Sequence, residues 1–307
     1  MKHPISPTAL IILFFVLSQL IGVGLLATDI TTTLDEQTGE ITTEYSETIG
    51  GPRPETTGAG SFAFLAIGVS IGTILLLILA KFKLQKLWKV WYFLAVWIAI
   101  AIALGAIMPA LIAYTAALGL AAWKILRSNT LIHNLTEILV YTGIAFLIVP
   151  IFDVFWASLL LIAIAIYDAI AVWKSKHMIS LANFQTESKL FAGLQIPYTE
   201  QGISSQTPTK KPKQPTKNNK APTGRTAILG GGDIAFPLLF TGTILQWLVE
   251  TGYSNLEAYL LSLVVIATSA ASLAALFWLA KKDRFYPAMP PLATGCFVGL
   301  AILILLV

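Results

Sequence analysis

Apolar runs of about 20 residues, the length a helix needs to cross a bilayer, recur along almost the whole chain. Nine can be traced, at roughly 7–27, 61–80, 88–107, 109–126, 131–150, 153–173, 227–248, 256–280 and 289–307. Of the 307 residues, 56% are hydrophobic and only 12% are charged, whereas a soluble domain carries about 25% charged residues. The sequence therefore predicts an all-α polytopic membrane protein with nine transmembrane helices, and a single membrane-embedded domain over 1–307. Proline disfavours helical geometry in the residue before it, so Pro109 and Pro150 mark turns between closely joined runs. The first run follows Lys2 but is long for the apolar core of a cleavable signal sequence, and it is taken as a span.

Lysine and arginine orient such a chain, because they collect on the cytoplasmic side. With the N-terminus in the cytoplasm and nine crossings, the inner side holds Lys2, then Lys81, Lys83, Lys86 and Lys89, then Lys124 and Arg127. It also holds every basic residue between 174 and 225, and Lys281, Lys282 and Arg284. Only Arg53 falls outside, in a first outer loop that carries Asp29, Asp35, Glu36, Glu40, Glu44, Glu47 and Glu55. The predicted product is a multi-pass protein of the cell membrane with its C-terminus outside. Residues 174–225 form a long cytoplasmic loop between helices six and seven. Its first half has apolar spacing for an interfacial helix and then a short extended piece. Its second half, rich in Pro, Lys, Thr and Asn, is expected to be disordered. A basic tail beside a bilayer is able to bind anionic lipid; the plainer reading, a solvated linker, is preferred.

The formal charge of +4 comes from short basic clusters flanking apolar runs, so no nucleic-acid partner is expected. The single cysteine, Cys296, excludes an intramolecular disulfide and a cysteine-based metal site. His3, His133 and His177 are scattered. Neither a metal nor a cofactor is expected.

Two acids lie inside apolar runs. Asp168 sits in AIAIYDAIAVW and Asp233 in AILGGGDIAFPLLF. An ionisable side chain in hydrocarbon costs a few kcal/mol or more, and it usually marks function. Asp168 precedes the inner flank at Lys174 by about 9 Å of helix, and Asp233 follows Arg225 by about 12 Å if helical. Two helices joined by an inner loop thus bring their acids to similar depth. Two carboxyls sharing one proton can activate water and protonate a leaving group.

Gly230, Gly231 and Gly232 lead directly into Asp233. Glycine weakens a helix by about 1 kcal/mol relative to alanine and lets another backbone come close. A loosened helix start with room for a substrate strand follows, the plainer alternative being a helix-packing surface. Pro237 cannot bond the carbonyl of Asp233, which adds irregularity. At the inner start of the last run stands Tyr286-Pro287-Ala288-Met289-Pro290-Pro291, whose three prolines are expected to keep this stretch out of a regular helix. Non-helical backbone at membrane depth is tolerated where it lines a cavity. The blander reading is a proline-marked helix start.

Together these elements resemble the presenilin and signal peptide peptidase family of intramembrane aspartyl proteases. Tyr167-Asp168 is similar to its Tyr-Asp pair. Gly230-Gly231-Gly232-Asp233 matches its Gly-x-Gly-Asp motif. Pro287-Ala288-Met289 resembles its Pro-Ala-Leu motif, with methionine for leucine. The resemblance implies a presenilin-like fold in which Asp168 and Asp233 are catalytic. Tyr167, Gly230, Gly231, Gly232, Pro287, Ala288 and Met289 would support them. Presenilins place their N-terminus in the cytoplasm and signal peptide peptidases are inverted, so the orientation above points to a compact, archaeal-type presenilin homologue. It implies hydrolysis of single-span membrane proteins within the lipid bilayer, without obligatory accessory subunits.

Other polar residues rank lower. His133, Asn134, Glu137 and Tyr141 share one face of the fifth run; Glu137 is open to reading as a proton relay, and the preferred reading packs the stripe against a neighbouring helix or near the interface. Asp153 and Glu250 read as caps or interface charges. Intramembrane acids beside broken helices also fit a secondary transporter or a cation leak, although no matching broken segment occurs in the first half of the chain.

Overall fold

The computed structural model describes residues 5–34, 41–127, 129–175, 190–199, 202–203, 225–280 and 286–307. Among them are nine helices: α1 (Ile5–Asp29), α2 (Ala59–Lys81), α3 (Gln85–Gly105), α4 (Ala110–Leu126), α5 (Thr130–Ile148), α6 (Val154–Ile170), α7 (Gly232–Glu250), α8 (Asn255–Leu279) and α9 (Met289–Leu306). Eight are long and apolar enough to cross a membrane, and α4 is a shorter apolar helix of 17 residues. Each run read from the sequence yields one helix, in order. The turns fall where proline places them. Pro109 is the residue before α4, and Pro150 lies in a one-turn 3-10 segment, Val149–Ile151, between α5 and α6. Side-chain caps start the next two helices, since Asn129 and Asp153 accept the N–H of Ile132 and Trp156, each at 2.8 Å.

Among the described residues five short strands accompany the helices. After α1, β1 (Ile30–Leu34) and β2 (Ile41–Tyr45) form an antiparallel hairpin, from Ile30 opposite Tyr45 to Leu34 opposite Ile41. Their Ile and Thr residues favour strand, a pattern that charge counting along this loop passes over. The extended piece expected after the sixth helix is β3 (Gly193–Thr199). It joins β4 (Gly202–Ile203) and β5 (Arg225–Gly230) in an antiparallel sheet of order β4-β3-β5, with Gly193 opposite Gly230 and Tyr198 opposite Arg225. The interfacial helix expected in this loop falls on 176–189, outside the described residues, and so does most of the half expected to be disordered, 199–225. Where that half is described, at Thr199, Gly202–Ile203 and Arg225, it is strand instead, part of β3 or paired with it.

Two boundaries differ from expectation. The seventh run, predicted as helix over 227–248, begins as strand β5 and becomes helical only at Gly232. Three glycines deprive the segment of helix propensity, and β3 offers an edge to pair with. In the proline-rich segment the helix starts at Met289, so Pro290 and Pro291 lie inside its first turn. First-turn N–H groups have no intrahelical acceptor, so proline loses nothing there.

Helix α7 is the most enclosed of the eight longer spans and α2 the least. It touches α1, α5, α6, α8 and α9, and Ile234, Leu238, Phe240, Ile244 and Leu248 are fully buried along it. Small residues bring helices together as they do in lipid-embedded bundles. A Cβ at Gly295 would lie 2.6 Å from the carbonyl oxygen of Thr268, and one at Gly299 would lie 2.7 Å from Cα of Val265, so α9 rides directly on the backbone of α8. Lys124, counted above as an inner-flank charge, is only 3% exposed and is paired with Glu137 at 2.6 Å. It belongs to the core and says nothing about orientation.

Candidate active site

Asp168 lies in the last turn of α6 and Asp233 is the second residue of α7. Both are partly buried. Their helices contact each other and both contact α9, and the two carboxyl groups lie close enough to interact electrostatically.

Each acid faces the start of a helix. Oδ2 of Asp168 accepts the backbone N–H of Met289 at 3.1 Å, at the N-terminus of α9. Pro290 and Pro291 supply no N–H, so Met289 is a rare donor in that turn, and the carboxyl of another helix takes it. Asp233 occupies the first turn of its own helix and hydrogen-bonds with the backbone at Gly230. The N-terminal end of a helix carries a partial positive charge that favours a nearby anion.

The backbone before Asp233 is held from several sides. The N–H of Gly231 donates to the carbonyl of Ala192 at 3.2 Å, continuing the β3–β5 ladder past the end of the strands. A Cβ at Gly231 would come within 2.6 Å of the Tyr141 hydroxyl, so a larger residue there would have to displace Tyr141 or the backbone. Beyond Asp233, Pro237 sits inside α7 and leaves the carbonyl of Asp233 without its helical donor. The next carbonyl, that of Ile234, accepts the side-chain amide of Gln19 from α1 at 3.1 Å. Gln19 is a contact that no sequence pattern announced.

The structure thus gathers Asp168, Asp233, Gly230, Gly231, Ala288 and Met289 in one place. Pro287 is buried beside them, and Gly232 starts α7 with its edge exposed. Tyr167 is 46% exposed, next to Asp168 in sequence. The polar stripe of α5 meets neighbouring helices, as expected, through the bonds of Glu137 to Lys124 on α4 and Tyr92 on α3. It has a partner not expected as well: His133, Asn134 and Glu137 bond the backbone of strand β3. Asp153 caps α6, and Glu250, at the end of α7, accepts the Thr43 hydroxyl at 2.7 Å. Among the described residues no three His, Cys, Asp or Glu side chains assemble into a metal site.

The sequence model described as signal-peptide peptidase, presenilin aspartyl protease matches residues 50–307. The chain belongs to that family. Two solved structures, both of a presenilin family intramembrane aspartate protease, share its fold. One, in a C222 crystal form, has a TM-score of 0.61 at 18% identity and covers 98% of this chain and 100% of its own. The other, in a P2 form, has a TM-score of 0.57 at 18% identity and covers 99% and 98%. No curated protein matches the chain in sequence. Membership in this protease family makes the chain an aspartic endopeptidase of the membrane. The transporter and cation-leak readings have no support. Helix α1 precedes the matched residues, yet through Gln19 it reaches the helix that carries Asp233.

Proposed function

We propose that Asp168 and Asp233 are the catalytic pair of this presenilin-family protease and that it cuts single-span membrane proteins within the bilayer. One carboxylate takes a proton from water as general base. The other, protonated, donates a hydrogen bond to the scissile carbonyl, and the water oxygen adds to that carbon. The tetrahedral intermediate then collapses, the C–N bond breaks, and the leaving nitrogen receives a proton from the dyad. A helical peptide bond is shielded by its own hydrogen bonds, so the substrate must unwind first. Among the described residues strand β5 pairs with β3 on one side only, and its other edge, leading to Asp233, suits an unwound segment of substrate.

In this reading Gly230, Gly231 and Gly232 keep the approach to Asp233 narrow. Pro287, Ala288 and Met289 hold Asp168 through the Met289 bond, and Tyr167 flanks it. The N-terminus and the loop over 174–225 lie in the cytoplasm of a cell-membrane protein. The single chain acts without accessory subunits. The observation that carries the proposal is the convergence of two intramembrane carboxyls, one in the first turn of α7 and one bonded to the first turn of α9. The test is cleavage of a single-span substrate by the purified chain in liposomes. Wild-type protein should release two fragments, and Asp168→Asn and Asp233→Asn should release none. Equal fragment yield from either variant would remove the assignment.

A further inference from the structure

The polar stripe on α5 forms a closed network. Oε1 of Glu137 accepts Nζ of Lys124 at 2.6 Å and the Tyr92 hydroxyl at 3.2 Å. Its Oε2 accepts the N–H of Gly193 at 2.9 Å and a short hydrogen bond from the Tyr141 hydroxyl. Lys124 spends its other two donors on the Thr136 hydroxyl at 3.0 Å and the carbonyl of His133 at 3.3 Å. No donor of the ammonium and no oxygen of the carboxylate is left open.

What the stripe holds is the edge of a strand. Gly193 gives its N–H to Glu137, and its carbonyl oxygen lies 2.8 Å from Nε2 of His133. Two residues on, Gln195 gives its N–H to Oδ1 of Asn134 and receives Nδ2 of the same side chain, both at 3.0 Å. Successive backbone groups of one strand edge point the same way at a two-residue period. Helix α5 meets that period with side chains and stands where a neighbouring strand would. The other edge of β3 pairs with β5, which ends at Gly230. The Tyr141 hydroxyl, oriented by Glu137, lies against Gly231. Gly193 has φ +140, a conformation that side chains rarely adopt, so the strand enters this clamp in one way.

We infer that Asn134, Glu137 and Lys124 are positioning residues. They fix the strand pair β3–β5 against the bundle, set where the Asp233 carboxyl stands, and thereby decide which substrate bond is cut. The inference rests on the proteolytic reading above. None of the three residues touches the aspartates in its hydrogen bonds, so their influence runs through Gly193, Gln195 and Gly231.

The experiment maps product ends by mass spectrometry after cleavage of a single-span substrate in liposomes. It compares wild type, Asn134→Ala, and the double variant Lys124→Met with Glu137→Met. The double variant removes both buried charges at once and replaces them with side chains of similar length. The exchange leaves no lone buried charge, but the Tyr92 and Tyr141 hydroxyls and the Gly193 N–H lose their acceptor, so a thermal melt of each variant is read beside its product map to tell folding from positioning. Asn134→Ala leaves no unpaired charge and frees only Gln195. Both variants should still melt cooperatively, at or below the wild-type transition, while product ends spread from the wild-type bond to neighbouring bonds. Product ends identical to wild type in either stable variant, with only the yield changed, would overturn the inference. Absence of cleavage by wild type would instead strike the proposed function, so the two failures are distinguishable.

Discussion

A carboxyl group in hydrocarbon is tolerated when something polar receives it: for Asp168 the Met289 N–H at the start of α9, and for Asp233 the backbone at Gly230, where β5 runs towards α7. Asp168→Ala and Asp233→Ala should each abolish peptide cleavage while the purified protein stays monodisperse and helical, because a two-carboxylate mechanism has no spare acid. The pair should titrate as a unit. The rate falls at low pH as the base is protonated and at high pH as the acid ionises, giving a bell measurable by initial rates across a buffer series. At Gly231 the neighbour is the Tyr141 hydroxyl. Gly231→Ala must displace one or the other, and overpacking of this kind costs about 1–3 kcal/mol, a factor of roughly ten or more if it falls on reactive geometry. Initial rates against a thermal melt separate activity from stability. The two acids were legible in the sequence because the cost of an acid in lipid is a local property. The close approach at Gly231 was legible only as a triplet. Its cause lies on α5, and a contact between distant residues leaves no mark at either position alone.

Among the elements, helices announced themselves and strands did not. A span needs only length and apolarity, which a single run displays. Strand β5 is six residues long and apolar enough to read as the start of the next helix; only its partner β3, reached across a long polar connection, makes it a strand. The proline segment shows the same limit. Three prolines argued against helix, yet two of them are accommodated in the first turn of α9, where a missing N–H costs nothing. The residue outside that turn is Pro287. Pro287→Ala should relax the approach to Met289 and lower cleavage strongly while leaving the spans in place, as read by initial rate and circular dichroism. Cysteines replacing Ala288 and Gly232 in a Cys296→Ser background should crosslink, since both segments converge on the aspartates. Failure to crosslink under conditions that join a control pair would place them apart.

For the molecule as a whole, orientation follows from charge distribution. One of its votes, Lys124, turned out to be an internal ion pair. The remaining basic clusters still favour a cytoplasmic N-terminus. Cysteine at position 40 should react with a membrane-impermeant reagent from outside, and cysteine at position 215 only after the inner face is exposed. The opposite labelling would invert the protein. The bond between Asp168 and Met289 also has a consequence in time. Its acceptor is translated early, on the sixth helix, and its donor 121 residues later, on the ninth. Until α9 is made, the chain holds both acids without the turn that receives one of them. A chain truncated before α9 should therefore carry both acids and release no fragments in the liposome assay. In the proposed mechanism competence then waits for α9, and assembly itself delays cutting until the chain is threaded.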